Sequence, residues 1–177
     1  MPDKFEYTPL QTEYRGHRFR SRIEARWAVF FDMLKIPFEY EPEGVRLLIG
    51  GAYLPDFILR PDPDRGPVWF EVKGDAPDAE EIAKARELAA LTRRSCLIAF
   101  GNFSSGYASF ATPVMIKLTP DGSMTGLYTW YHCSTCSKVG IKLVTEEFFE
   151  GCSCHYPYQS AILDGAYRAA RAARFGT

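Results

Sequence analysis

At 177 residues, 46% hydrophobic and 24% charged, the chain has the length and composition of one ordinary globular domain with room for a small appendage. No apolar run approaches the ~20 residues of a membrane span, and the opening "MPDKFEYTPLQ" has no basic-then-apolar leader pattern, so the expectation is a cytoplasmic protein with no membrane partner. A net charge of −1 excludes a globally basic nucleic-acid binder. The charge is uneven, however: "YRGHRFRSRIEAR" gathers Arg15, Arg18, Arg20, Arg22 and Arg26 around His17, a local patch suited either to solvent or to a few phosphates.

In chain order, "SRIEARWAVFFDMLK" (21–35) is the clearest helix. Ser21 caps it, Ile23, Trp27, Phe30, Phe31 and Leu34 recur at helical spacing, and Pro37 stops it. "FEYEPEGVRLLI" (38–49) reads as a strand interrupted near Pro42. Gly50 and Gly51 turn the chain into a second strand, "YLPDFIL" (53–59), and "PDPDRGP" (61–67) turns it again into a third, "VWFEVKG". The simplest arrangement is an antiparallel meander. "APDAEEIAKARELAALTRR" (76–94) is a second helix, with Pro77 and acids in its first turn and Ile82, Ala85, Leu88 and Ala89 along its apolar side. "CLIAF" (96–100) and "VMIKL" are short strands separated by a Gly-, Ser- and aromatic-rich loop. "DGS" at 121–123 marks a boundary, and the chain ends in an Ala-rich helix whose Arg168, Arg171 and Arg174 read as a solvated side.

Two strands carry charge where core is expected. Alternation puts Glu71 and Lys73 on one face with Trp69, while Val68, Phe70 and Val72 take the other. Asp56 shares a face with Leu54 and Ile58, and its alternates are apolar too, so the strand is covered on both sides. A buried carboxylate costs several kcal/mol unless a cation compensates it; Asp56 needs a partner. Two acids and a lysine on neighbouring strands suit Mg²⁺ or Mn²⁺ and the hydrolysis of a phosphodiester. Glu24 has two readings. Ser21-x-x-Glu24 is a capping box that would fold Glu24 onto the helix start, yet Glu24 also lies on the stripe of Trp27, Ala28 and Phe31, which aims it at the sheet; the site role is the expected one.

The order "RSRIEARWAVFFDMLKIPFEYE…YLPDFIL…FEVKG", over roughly residues 14–100, resembles the PD-(D/E)XK nuclease superfamily, with its helix glutamate, P-D strand and E-x-K strand. The likeness is nearest to phage endonuclease I-type junction resolvases. The resemblance implies that Asp56 and Glu71 bind a catalytic metal, with the Val72 carbonyl as a candidate third ligand. It further implies that Lys73 positions or activates the attacking water, that Glu24 completes or bridges the metal site, and that Arg15, Arg18, Arg20 and Arg22 contact DNA. It leaves room for a homodimer.

Those resolvases do not usually carry the cysteines that follow here. Cys133-x2-Cys136, then fifteen residues, then Cys152-x-Cys154 is close to a ribbon-type Zn²⁺ spacing. His155 is an alternative fourth ligand to Cys154. Four protein ligands leave no open position, so the zinc role is structural, and Cys96 reads as a small core residue. The expectation is therefore an α/β fold: a restriction-endonuclease-like αβββαβ core with a mixed central sheet over 1–120, a small zinc-binding β module over 121–156 and a terminal helix over 157–177. The expected activity is metal-dependent DNA endonuclease action on branched or distorted DNA. The rival is a catalytically silent nuclease-fold protein that binds DNA or a protein partner.

Overall fold

The computed structural model describes residues 11–49, 51–61, 66–101, 103, 113–144, 152, 154 and 161–175. The described chain begins with a hairpin, β1 (Thr12–Tyr14) and β2 (His17–Phe19), closed by Arg15 and Gly16. Both turn residues have positive φ, the geometry that matches the right-handed twist of two antiparallel strands. The hairpin delivers Arg20 and Ser21 to the start of α1 (Arg22–Met33), where the Ser21 hydroxyl accepts the Glu24 N–H. No helix among the described residues is long and apolar enough to cross a membrane.

After α1 come β3 (Phe38–Tyr40), β4 (Val45–Leu47), β5 (Gly51–Tyr53), β6 (Phe57–Leu59) and β7 (Val68–Lys73). The expected meander is present as β3-β6-β7, each neighbour antiparallel, but β4 and β5 pair only with each other as a separate hairpin. "YLPDFIL" is accordingly not one strand. Leu54, Pro55 and Asp56 separate β5 from β6, because Pro55 has no N–H to continue a ladder. Leu54, expected under cover, is 41% exposed.

α2 (Ala79–Thr92) starts on a capping box between Asp78 and Glu81 and ends with Arg93 in the left-handed region. It returns the chain to β8 (Cys96–Phe100), which runs parallel to β7. β9 (Val114–Leu118), β10 (Met124–His132) and β11 (Val139–Leu143) then add antiparallel strands, giving a sheet ordered β11-β10-β9-β8-β7-β6-β3. α3 (Ala161–Ala172) follows. The sheet is mixed, mostly antiparallel with one parallel pair.

Apolar clusters cover both faces of this sheet. On one, Trp27, Phe30 and Phe31 of α1 pack with Phe70, Trp130 and Tyr167. On the other, Ala85, Leu88 and Ala89 of α2 pack with Trp69, Ile98 and Leu118. The result is helix, sheet, helix. The boundary expected at 120/121 is not a break in this arrangement, for β9 and β10 pair directly across it. Tyr167 of α3, moreover, lies 4.6 Å from Phe30 in the α1-side core. The strands flanking the first cysteine pair belong to the central sheet because Tyr128, Trp130 and Ile141 supply apolar surface to that same core.

Candidate functional site

Pro55 ends one hairpin and β6 begins just after Asp56, so the Asp56 carboxylate is held at a bend against the middle of β7. It is 7% exposed, and Glu71 is 3% exposed. Asp56 Oδ2 accepts the Val72 N–H at 2.8 Å, and Glu71 Oε1 accepts the Asp56 N–H at 3.3 Å. The Tyr53 hydroxyl also donates to Glu71. Burial pushes the pKa of both carboxyls upward, with the charge of Glu24 adding to the rise of Asp56 and that of Asp56 to the rise of Glu71. Burial also raises the Tyr53 phenol, helped by Glu71.

The partner that Asp56 requires is Arg20. Its Nη2 lies 2.9 Å from Asp56 Oδ1, and its Nε lies 2.6 Å from Glu41 Oε1. The guanidinium thus bridges two acids, with about half of its side chain exposed. Lys73 turns to α2, with Nζ 3.0 Å from Glu81 Oε1. Burial works against its charge, but Glu81, Glu71 and Asp56 outweigh that, and its pKa is raised. Lys73 is a held ammonium rather than a ready base.

Glu24 is buried, as its stripe predicted, yet it does not join the strand acids. Its Oε1 accepts from the Ser21 hydroxyl at 2.6 Å, and its Oε2 accepts from the Tyr40 hydroxyl at 2.7 Å and from the Arg20 N–H at 3.1 Å. Burial, then Glu24, raises the Tyr40 phenol. Glu24 is buried and folds back onto the helix start, but through the Ser21 hydroxyl and the Arg20 N–H rather than the Ser21 N–H that a capping box uses. The oxygens of Glu24, Asp56 and Glu71 do not converge as a three-carboxylate metal set.

The expected phosphate contacts are redistributed. Arg15 pairs with Asp32, Arg18 with Glu13, and Arg20 with Glu41 and Asp56; among the described residues, Arg22 has no carboxylate partner. Sequence reasoning missed Arg20 as the cation on Asp56 and missed Tyr40, Tyr53, Glu41 and Glu81 around the site. A signal was available for the tyrosines, which fall immediately before "EPEG" and "LPD", where strand ends meet the candidate acids.

A second cluster lies at the end of β10. Cys133, Cys136, Cys152 and Cys154 place their sulfurs within 4.8 Å of one another. Cys133 closes β10; its N–H donates to Lys138 O and its C=O accepts from the Ser137 N–H, each at 2.9 Å, forming a tight knuckle. Backbone N–H groups of Cys136 and Thr135 pull the Cys133 thiol down to about 6, whereas hydrogen bonding to Cys136 and Cys152 pushes Cys154 up to about 12. One thiolate surrounded by neighbouring thiols is a donor set that a divalent soft-ligand ion such as Zn²⁺ fits, since each further sulfur releases its proton on coordination. His155 lies outside the described residues. Cys96 is buried in β8, and burial raises its thiol well above the ordinary range.

No protein-family model, curated protein or solved structure matches the chain.

Proposed function

We propose that the protein is a metal-dependent DNA endonuclease with a structural zinc centre, acting on branched or distorted duplex. The observation that carries the reading is the pair of buried carboxylates, Asp56 and Glu71, joined by a backbone hydrogen bond at 3.3 Å, with Lys73 two residues further along the same strand. Burying two acids side by side raises the cost of ionising either, so their placement opposes stability and calls for a chemical reason. A divalent ion such as Mg²⁺ or Mn²⁺ at these carboxylates, with the Val72 carbonyl beside them, would supply polarisation of a phosphoryl oxygen and an acidified water. The chain's own part is charge and position. Lys73 remains protonated and stabilises developing negative charge. Arg20 is free to exchange Asp56 for a substrate phosphate, to which its planar fork is equally matched.

The preference for distorted DNA rests on charge. A chain of pI about 6.3 lacks a broad positive surface for indiscriminate binding, and its sequence carries no recognisable base-reading helix, which favours recognition by shape and deformability. The rival, a silent binding module, is favoured by one observation: Arg20 fills the place beside Asp56, and Glu24 is fully engaged by Ser21, Tyr40 and Arg20.

One assay separates the two. Linear, flapped and four-way-junction DNA are incubated with the protein in Mg²⁺ and in Mn²⁺ at one stated salt concentration. Cleavage is expected to favour the branched substrates, and Glu71→Ala or Lys73→Ala to lower it at least ~10²-fold with the fold retained. Cleavage undiminished by either substitution, or no cleavage of any substrate, sinks the endonuclease reading. Equal rates on the three DNAs sink only the preference.

A further inference from the structure

We propose that Arg22, Arg26 and Arg174 form a phosphate-binding cleft, separate from the carboxylate pocket, that holds a backbone phosphate of the nucleic acid flanking the cut. A cavity of about 330 Å³ lies where the first turns of α1 meet the end of α3, lined by Arg22, Arg26, Ala173, Arg174 and Phe175. Its lining contains three guanidiniums and no acid. Among the described residues none of the three makes an ion pair, in contrast to Arg15, Arg18, Arg20 and Arg60, each of which is held by a carboxylate. Like charges gathered without compensation repel, and a folded chain keeps them together where an anion repays the cost.

Arg26 sharpens the inference. Its Nε is buried from solvent with no hydrogen-bond partner. A donor withdrawn from water and left unmatched by the fold is costly, more so when charged. A tetrahedral oxyanion suits this lining, because guanidinium forks bind phosphate oxygens in pairs. The wall of the cleft supports its shape. Phe175 is anchored edge-on against Tyr14 at 6.3 Å, and the Arg171 Nε donates to Phe103 O at 2.9 Å, which ties the last turn of α3 to the body of the fold.

The position of the cleft gives the phosphate its meaning. Arg22 and Arg26 stand one helical turn apart on α1, and Glu24 between them is buried toward the sheet. The same helix end therefore faces the acidic pocket on one side and the cleft on the other. A helix with its side chains is about 10–12 Å across, roughly three steps of a nucleic-acid strand at 3.4 Å each. One strand passing over the start of α1 can place one phosphate near the carboxylates and another among the three arginines.

This inference rests on the nuclease reading for its ligand but not for its chemistry, and the test treats them apart. Inorganic phosphate, compared with chloride at equal ionic strength, should raise the thermal midpoint of the wild-type protein. The shift should shrink in the triple variant Arg22→Ala, Arg26→Ala, Arg174→Ala, and Lys at all three positions should partly restore it. Binding of a short linear duplex in Ca²⁺ should weaken about tenfold in the triple variant, and the slope of log affinity against log salt should become shallower by about 1. A purely structural role for the arginines would lower the melting temperature without altering the phosphate response or the salt slope. Equal phosphate responses in wild type and variant, or an unchanged slope, overturn the cleft, whatever the cleavage assay gives. Loss of the phosphate response in a protein that cuts no DNA leaves the cleft standing and removes only the endonuclease.

Discussion

Asp56 and Glu71 place a functional group at a cost to stability, and the sign of that cost is open to measurement. Burial raises both carboxyl pKa values, helped at Asp56 by the charge of Glu24 and at Glu71 by that of Asp56. The native state therefore holds its protons to higher pH than the unfolded chain, and stability is greatest below the ordinary carboxylate range. It is lost as pH climbs from that range through the raised native values. Glu71→Gln keeps the acceptor for the Asp56 N–H and abolishes the titration. Without added divalent ions, thermal melts from pH 5 to pH 9 should show the variant gaining on wild type as pH rises, by at least about 1.4 kcal/mol at the alkaline end, the worth of one pKa unit. A constant difference across that range would show that Glu71 titrates normally. The need for a cation beside Asp56 was legible, since a carboxylate within an apolar stretch must be compensated. Which cation was not, because Arg20 lies 36 positions away and reaches Asp56 only through the β1-β2 hairpin.

Among the elements, α3 was read as a helix with a solvated arginine side, and its other side decides its role. Leu163, Ala166, Tyr167 and Ala170, spaced at three and four residues, are all buried. Small residues let the helix lie close to α1, and Tyr167 fills the space beside Phe30 and Phe103. Tyr167→Ala should cost about 3–5 kcal/mol, the scale of a large aromatic removed from a core, measured by urea unfolding; a loss below ~1 kcal/mol would make α3 peripheral. Helices and strands were legible because their periods are local. The detour of β4 and β5 out of the meander was not, since Pro55 marks an interruption without saying where the freed hairpin goes.

For the molecule as a whole, the composition of the core forbids a cut at residue 120. Trp27 and Phe70 come from before that point, Trp130 and Tyr167 from after it, and all four belong to one apolar cluster. A fragment ending at residue 120 should fail to fold, giving a disordered far-ultraviolet circular dichroism spectrum. The full chain, supplied with Zn²⁺, should unfold in one transition that coincides by tryptophan fluorescence and circular dichroism. Independent folding of the fragment would restore a two-domain description. The order of a sheet depends on pairings between distant strands, which neither alternation nor turn residues specify; "DGS", expected as a boundary, lies in the tight hairpin between β9 and β10.

The cysteine cluster has a colloidal consequence. Among the described residues β11 ends the sheet, with β10 as its one ladder neighbour, and a strand in that position is a template for pairing with another chain. Its register is fixed at the knuckle, where Cys133 hands the chain through the five residues 134–138 into Val139. A metal held by the four cysteines would tie this knuckle to Cys152 and Cys154, and so would guard against self-association as well as unfolding. Stripping the ion with a chelator, or introducing Cys133→Ser, should raise light scattering and broaden the sedimentation profile at concentrations where the metal-loaded protein stays monodisperse, before circular dichroism reports any loss of the central sheet.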